Sequence, residues 1–397
     1  MYLTREEEKM LKGEYGEGKR KSIEILVTLG KIYNAERLIS VTSVQIAGVS
    51  YHNIGDAGIS FLKDISKDAK VEIKATLNPA GMDVERWEEL GFDEKFAKKQ
   101  IEIVEIFKSM GVEETLTCTP YLVGNVPSKG EHIAWSESSA VTFANSVLGA
   151  MTNRESGISA LASAIIGKTP YYGMHLKEKR APKVKIRVNL RLAGLADYAA
   201  LGHAIAKKVK NEIPIIEGIK KVGLEELKML SASIATFAGL ATYHISNITN
   251  ECKDFREPKE KVDIGKFELK EAYEYLNDDC DEIDFVCIGC PHCSLEEIRM
   301  VAKLLEGRKV SREFWIVTSR KVKEKARKLG YVKVIENSGA KVVCDTCMAV
   351  APLKPRFKTL ATNSAKACYY GRGVNKFKVK FGDIRKCVYA AVKGVWR

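Results

Sequence analysis

None of the apolar runs in the 397 residues is long enough to cross a bilayer, and the amino terminus, MYLTREEEKMLKGEYGEGKRK, has no apolar signal core. A soluble, cytoplasmic protein without membrane contact is expected. Internal repeats and low-complexity tracts are missing. So are the Walker phosphate loop and the GxGxxG fingerprint, which sets aside the two nucleotide-binding signatures with the clearest spacing. There is no recognisable RNA or DNA module, and no aromatic series along a basic groove. The net charge of +13 permits nucleic acid as a partner, yet Lys and Arg are spread through amphipathic helices such as RKVKEKARKLG and alternate with acids. Solvated helix faces account for this charge, so no nucleic-acid partner is expected.

What is present is a globular composition, 45% hydrophobic and 29% charged, in a chain long enough for two or three domains. There are ten cysteines. In a large cytoplasmic chain they signify metal binding, catalysis or inert burial rather than disulfides. Cys252, Cys280 and Cys387 stand alone in ordinary contexts and read as structural. Of the other seven, Cys118, Cys287, Cys290, Cys293, Cys344 and Cys347 are the candidates for chemistry, and the seventh is Cys368.

Two stretches organise these thiols. DFVCIGCPHCS, from Asp284, and VVCDTCMAVAP, from Val342, each run from a short apolar strand into closely spaced cysteines. Between them the pattern gives a helix over Leu295 to Gly307, a strand over Phe314 to Ser319 and a helix over Arg320 to Leu329. Such alternation implies parallel strands with right-handed crossovers, and ligands collect at the carboxyl ends of such strands. A further strand, Phe357 to Thr362, leads into ATNSAKACYYGRG and puts Asn363, Ser364 and Lys366 on the same rim. A last helix spans Asp383 to Lys393.

Towards the amino terminus, Thr4 to Glu7 is a capping box, and a helix follows from Ser22 to Tyr33. A strand over Leu38 to Ala47 enters the glycine loop GVSYHNIGDAG, which leads to a helix around Ile59 to Ile65. A second strand, Val71 to Leu77, exits at Asn78, and an amphipathic helix covers Phe92 to Met110. The next stretch, TLTCTPYLVGNVPSKGEHIAWSESSAVTFANSVLGAMTNRESG, interleaves polar and small residues. Burying so many polar groups is costly unless they satisfy one another or a ligand. Past a connector and a boundary near Arg191, Leu195 to Ala241 reads as mostly helical, and a strand and charged linker follow.

The paired CxxC spacing suits a zinc knuckle. Zinc ribbons, however, are small hairpin units, whereas these cysteines end strands of a parallel sheet. The other chemistry is an iron-sulfur cluster held by three cysteines, whose open iron acts as a Lewis acid and gives the nearby Ser, Asn, Arg and Lys a task. His292 suits a ligand or a hydrogen-bonding neighbour; His175, His203 and His244 read as structural.

AGVSYHNIGDAG, the polar stretch above, CIGCPHCSLEEI, CDTCMAVAP and TNSAKACYY together resemble the aconitase X family, in its archaeal two-subunit form, over essentially the whole chain. IGCPHCSLEEIRMVAKLLEGRKV is also similar to the cysteine-bearing segment of ordinary aconitases and isopropylmalate isomerases. The resemblance implies an α/β, multi-domain, aconitase-like fold with mostly parallel sheets and an interdomain active-site cleft. The corresponding segments are 1–190 with Cys118 and the substrate loops, a mainly helical 191–275, and 276–397 with Cys290, Cys347 and Lys366.

It further implies a [4Fe-4S] cluster, which can be isolated in a smaller or degraded form, on Cys118, Cys290 and Cys347. Gly48, Val49, Ser50, Asn78, Pro79, Glu137, Ser138 and Lys366 become substrate contacts by the same route, while His52, Asn145 and Arg154 are added on chemistry alone. Lys366, Ser50 and Ser364 are the catalytic candidates. Ser138, or a serine on a partner, is an alternative base. The implied reaction is loss of water from (R)-5-phosphomevalonate, a phosphorylated hydroxy acid, to give trans-anhydromevalonate 5-phosphate, an early step of the archaeal mevalonate route to isoprenoids. The alternatives are dehydration of another hydroxy acid such as cis-3-hydroxy-L-proline, or a zinc-stabilised nucleic-acid-binding protein. The one-chain relatives carry an added swivelling domain, so a separate small subunit is expected here.

Overall fold

Three parallel sheets follow one another along the chain in the computed structural model, which describes residues 1–354 and 356–397. One antiparallel pair, Leu38–Ser40 with Lys168–Pro170, forms a separate two-stranded sheet. The multi-domain, mostly parallel α/β architecture expected from the sequence is the one observed.

The amino-terminal sheet has the order Lys74–Leu77, Ser43–Ile46, Ala134–Trp135. The run from Leu38 to Ala47, expected as one strand, is two. The amides of Val41 and Thr42 donate to the carbonyls of Gly167 and His132, so the pairing partner changes there and the two halves serve different sheets. The capping box at Thr4 forms as expected: its hydroxyl accepts from the Glu7 amide at 3.3 Å, and the Glu7 carboxylate accepts from the Thr4 amide at 2.9 Å. The helix after the glycine loop begins at Tyr51 rather than near Ile59. Ser50 stands at its N-cap, and Gly55, at φ 56°, absorbs a kink within Tyr51–Ile65.

The segment 191–275, expected as mainly helical, alternates strands and helices. Its four-stranded sheet has the order His244–Ile245, Pro214–Glu217, Val184–Val188, Glu260–Ile264. The boundary near Arg191 therefore falls after the first strand of this sheet. Glu260–Ile264 was hidden in a charged linker because it is an edge strand, and Glu260, Lys261 and Asp263 keep that edge exposed and polar. Pro214–Glu217, only four residues long, disappears between the helices Leu195–Val209 and Leu224–Phe237.

The carboxyl-terminal sheet has five parallel strands in the order Lys341–Val343, Glu313–Val317, Phe285–Ile288, Thr359–Thr362, Lys378–Phe381. Phe285–Ile288 is central and wholly buried, which is why it reads as an uninterrupted apolar run. Removing each such side chain from water contributes roughly 1.5–3 kcal/mol. The three units are packed together: Leu224–Phe237 of the middle unit lies against both Ser138–Phe143 and Ala365–Tyr370. Among the described residues, no helix is long and apolar enough to cross a membrane.

Candidate active site

The carboxyl ends of the first and third sheets face each other across a cavity of about 350 Å³. From the first come Gly48 and Val49 after Ser43–Ile46, Asn78 and Pro79 after Lys74–Leu77, and Glu137 after Ala134–Trp135. From the third come Cys290 after Phe285–Ile288, Cys347 after Lys341–Val343, and Lys366 after Thr359–Thr362. Cys118 completes the lining from a loop held to the first sheet by the Thr117 amide, which donates to the Leu77 carbonyl at 3.0 Å. Parallel strands all deliver their next residues to one end, so the fold collects these distant groups.

Glu137 and Lys366 form a buried ion pair between the two units. The Glu137 carboxylate also accepts from Asn78 Nδ2 at 2.9 Å and from the Ser139 hydroxyl at 2.9 Å. Gln45 braces the group, accepting from the Glu137 amide at 3.0 Å and donating to Asn78 Oδ1 at 3.0 Å. Burial works to raise the Glu137 pKa, but the Lys366 ammonium and these donors outweigh it and hold the carboxyl down at about 2. Burial acts to lower the Lys366 pKa, and Glu137 reverses that and raises it. Both groups are charged at neutral pH.

The three cavity cysteines are buried and free. Burial pushes the Cys118 thiol up to about 12, with Glu137 adding to the effect and Lys366 opposing it. The Cys290 and Cys347 thiols are likewise raised by burial. Without a metal all three stay protonated, so ligation must displace protons. Among the described residues, no three His, Cys, Asp or Glu side chains form a set close enough to chelate a single ion. Three thiols spread around one cavity, each near enough to influence another's titration, fit a larger sulfur-bridged cluster better than one tetrahedral ion. The donor set is soft, as such a cluster requires.

His292 joins the three cysteine-bearing segments without entering the cavity. A carbonyl can only accept, so Nε2 carries the proton and donates to the Thr346 carbonyl at 3.0 Å. Nδ1 then accepts from the Thr117 hydroxyl at 2.9 Å. The His292 amide donates to Cys118 Sγ at 3.2 Å. Burial lowers the imidazole to about 4, which leaves it neutral. Both ring nitrogens are engaged by protein groups, and the side chain does not line the cavity.

Gly48, Val49, Asn78, Pro79, Glu137, Lys366 and the three cysteines thus meet on one cavity. Other expected residues are engaged elsewhere. The Ser50 hydroxyl, buried, donates to the Val350 carbonyl at 3.2 Å. Ser364 caps the helix Ala365–Tyr370, accepting from the Ala367 amide at 3.1 Å. Ser138 is half-buried at the start of Ser138–Phe143. Asn145 Nδ2 donates to the carbonyls of Thr152 and Ala241, both at 2.9 Å. Arg154 is exposed and donates to the Gly239 carbonyl at 2.9 Å, and His52 is exposed. Asn145 and Arg154 thus donate to backbone carbonyls and do not line the cavity.

The cavity also has Asn53, Tyr370 and Val374 in its wall. Gln45 was passed over in the sequence, although a polar residue inside the apolar run SVQIAG was a usable signal. The extra thiols Cys287, Cys293 and Cys344 are buried and do not line the cavity.

Comparison with known proteins gives a consistent result. Family models described as the aconitase X first, second and third domains match residues 1–178, 182–274 and 283–393. The chain is 53% identical to the phosphomevalonate dehydratase large subunit of Methanocaldococcus jannaschii, over 97% of this chain and 99% of that one. It is 47% identical to the protein of the same name from Methanosarcina mazei, over 99% and 98% of the two chains. A cis-3-hydroxy-L-proline dehydratase of Pseudomonas aeruginosa is 33% identical over 97% of this chain and 69% of its own length. The crystal structure of Thermococcus kodakaraensis aconitase X, in its holo form, superposes with a TM-score of 0.92 at 44% identity, covering 98% of this chain and 100% of that one.

Proposed function

We propose that this chain, which belongs to the aconitase X family, is the large subunit of a hydro-lyase that dehydrates (R)-5-phosphomevalonate to trans-anhydromevalonate 5-phosphate in the archaeal mevalonate pathway to isoprenoids. The observation that carries this reading is the convergence of Cys118, Cys290 and Cys347 on one cavity with the Glu137–Lys366 pair. Relatives at 45–53% identity bear the corresponding name, whereas the hydroxyproline enzyme is more distant.

The cofactor is an iron-sulfur cluster, which we assign as [4Fe-4S] on Cys118, Cys290 and Cys347. When bound, it supplies a Lewis acid for the hydroxyl and carboxylate oxygens of the substrate. The chain provides the rest of the electrostatics. Lys366, held charged and desolvated, offers its ammonium to the substrate carboxylate, where negative charge grows as the adjacent C–H bond breaks. Glu137, itself held by Asn78, and the Ser139 hydroxyl fix that ammonium in place. Gly48 and Val49, just ahead of the helix Tyr51–Ile65, turn backbone towards the cavity at a helix amino terminus, a location suited to the phosphate.

Proton abstraction needs a base in the cavity that can take up a proton. Glu137 is too weak a base at neutral pH, Lys366 is protonated, and Ser50 and Ser364 do not line the cavity, being held by the Val350 carbonyl and the Ala367 amide. We assign the base to the small subunit that the relatives' name "large subunit" implies. The test is anaerobic assay of the chain with and without that subunit on (R)-5-phosphomevalonate and on cis-3-hydroxy-L-proline. Water loss from the first, only with both subunits present, is expected. Turnover of hydroxyproline alone would reverse the substrate assignment, and full turnover by the large subunit alone would return the base to this chain.

A further inference from the structure

The middle unit contributes no residue to the cavity lining, yet one of its side chains reaches the cysteine site. Lys228, on the helix Leu224–Phe237, is completely buried. Its ammonium donates to the His292 carbonyl at 2.9 Å and pairs with Glu297, which is also buried. Glu297 in turn accepts from the Ser294 amide at 2.8 Å, and the Ser294 hydroxyl donates to Glu225 of the middle unit at 2.8 Å. The loop that follows Cys290 is therefore clamped from the middle unit by two side chains.

At His292 the three units meet within a single residue. Its carbonyl takes Lys228 from the middle unit, its amide donates to Cys118 of the first, and its ring spans Thr117 of the first and Thr346 of the third. Thr117 precedes Cys118 and Thr346 precedes Cys347, while His292 is two residues beyond Cys290. One imidazole thus ties together the segments bearing all three cavity thiols. A cluster with three protein ligands needs three sulfurs at fixed separations, and the groups that orient ligands commonly change metal affinity about 10- to 100-fold when removed.

We propose that His292 is the positioning residue that holds Cys118, Cys290 and Cys347 in register for the cluster, and that Lys228 locks His292 from the middle unit. This rests on the cluster assignment above. Lys228 acts at a distance from substrate, through the His292 carbonyl, and gives the middle unit a defined task in a site it does not line.

The experiment compares wild type with H292A, H292Q, K228M and T117V, each reconstituted with iron and sulfide without oxygen. The readouts are the rate at which a chelator removes iron and the melting temperature of the metal-free chain. Iron loss about 10- to 100-fold faster than wild type is expected for H292A and K228M. H292Q, whose amide retains a donor for the Thr346 carbonyl, should fall between H292A and wild type. T117V, which deletes one buried hydroxyl beside Cys118 and leaves His292 Nδ1 without its donor, carries the test if the larger changes prevent folding, and should lose iron several-fold faster at a temperature where its metal-free chain is still fully folded. Wild-type iron release in H292A, or in T117V where H292A does not fold, would overturn the proposal. If wild type itself takes up no iron and sulfide, the cluster assignment fails and this inference fails with it.

Discussion

The ammonium of Lys366 and the carboxylate of Glu137, 229 residues apart in sequence, form an ion pair between the first and third units at the wall of the cavity. Each group is nearly inaccessible, with side-chain exposures of 7% and 12%. Their charges are retained because each offsets the other's desolvation and because Asn78 and Ser139 supply further hydrogen bonds.

Replacing Lys366 by Ala should therefore abolish most turnover while iron and sulfide remain bound. It strands the Glu137 carboxylate without its cation, so a stability loss of about 3–5 kcal/mol is also expected. Steady-state turnover, iron content and melting temperature on one preparation check this. Normal turnover in K366A would remove the residue from the mechanism.

The cavity thiols and the extra thiols should separate cleanly. C118S, C290S and C347S should each fail to retain iron and sulfide, whereas C287S, C293S and C344S should retain them, since those side chains lie outside the cavity lining. Iron and acid-labile sulfide assays after anaerobic reconstitution decide it. Loss of iron in C344S or C293S, with C347S or C290S unaffected, would move the ligand assignment to the neighbouring cysteine.

Arg320 bridges two almost inaccessible carboxylates, Asp83 of the first unit and Asp345 of the third, and also reaches Glu85. Asp83 additionally accepts from the Cys344 amide at 2.9 Å, so this cluster fixes the two rims of the cavity to each other. Removing the guanidinium leaves two buried acids with no cation between them. R320M should lose about 3–5 kcal/mol, seen as a lower melting temperature that the charge-keeping R320K partly restores.

Stability should fall in mild acid. Burial, assisted by the charges of Lys207 and Arg372, lowers the His203 imidazole to about 4, and burial beside His132 lowers His175 to about 3. The unfolded chain, with imidazoles near their ordinary value of about 6.5, binds more protons than the folded one below that pH. The stability from keeping these rings neutral is thus complete above about pH 6.5 and is lost as the pH falls towards 4 and then 3. Each site adds a slope of up to about 1.4 kcal/mol per pH unit. H203F, which keeps an aromatic ring against Phe237 and Tyr275, should flatten the decline in denaturant titrations from pH 6.5 to 4; an unchanged slope would assign the loss to other groups.

Much of this protein is local enough to be read from the chain. The apolar runs at Phe285–Ile288 and Glu313–Val317 announce buried parallel strands because both of their faces are covered. The capping box at Thr4 is a contact three residues long, and it forms as written. The cysteines, Glu137 and Lys366 were legible because reactive side chains just past apolar runs fall at the carboxyl ends of strands, where a parallel sheet presents its ligands. Short or charged elements were not. Pro214–Glu217 has too few residues to display a period, and Glu260–Ile264 displays the polarity of an exposed edge.

The sequence by itself determined which residue types stand at which strand ends, and hence that thiols, a carboxylate and an ammonium would share a rim. Only the tertiary structure decided which of them face one cavity and which are spent on the backbone. Ser50, Asn145 and Arg154 have the same chemistry as the residues that line the cavity, and what turns them elsewhere is a carbonyl brought within hydrogen-bonding distance from another part of the chain. The same holds for Lys228 and His292. A buried ammonium and a neutral imidazole are stable only where their partners are already in place, and those partners lie 54 to 175 residues away along the chain.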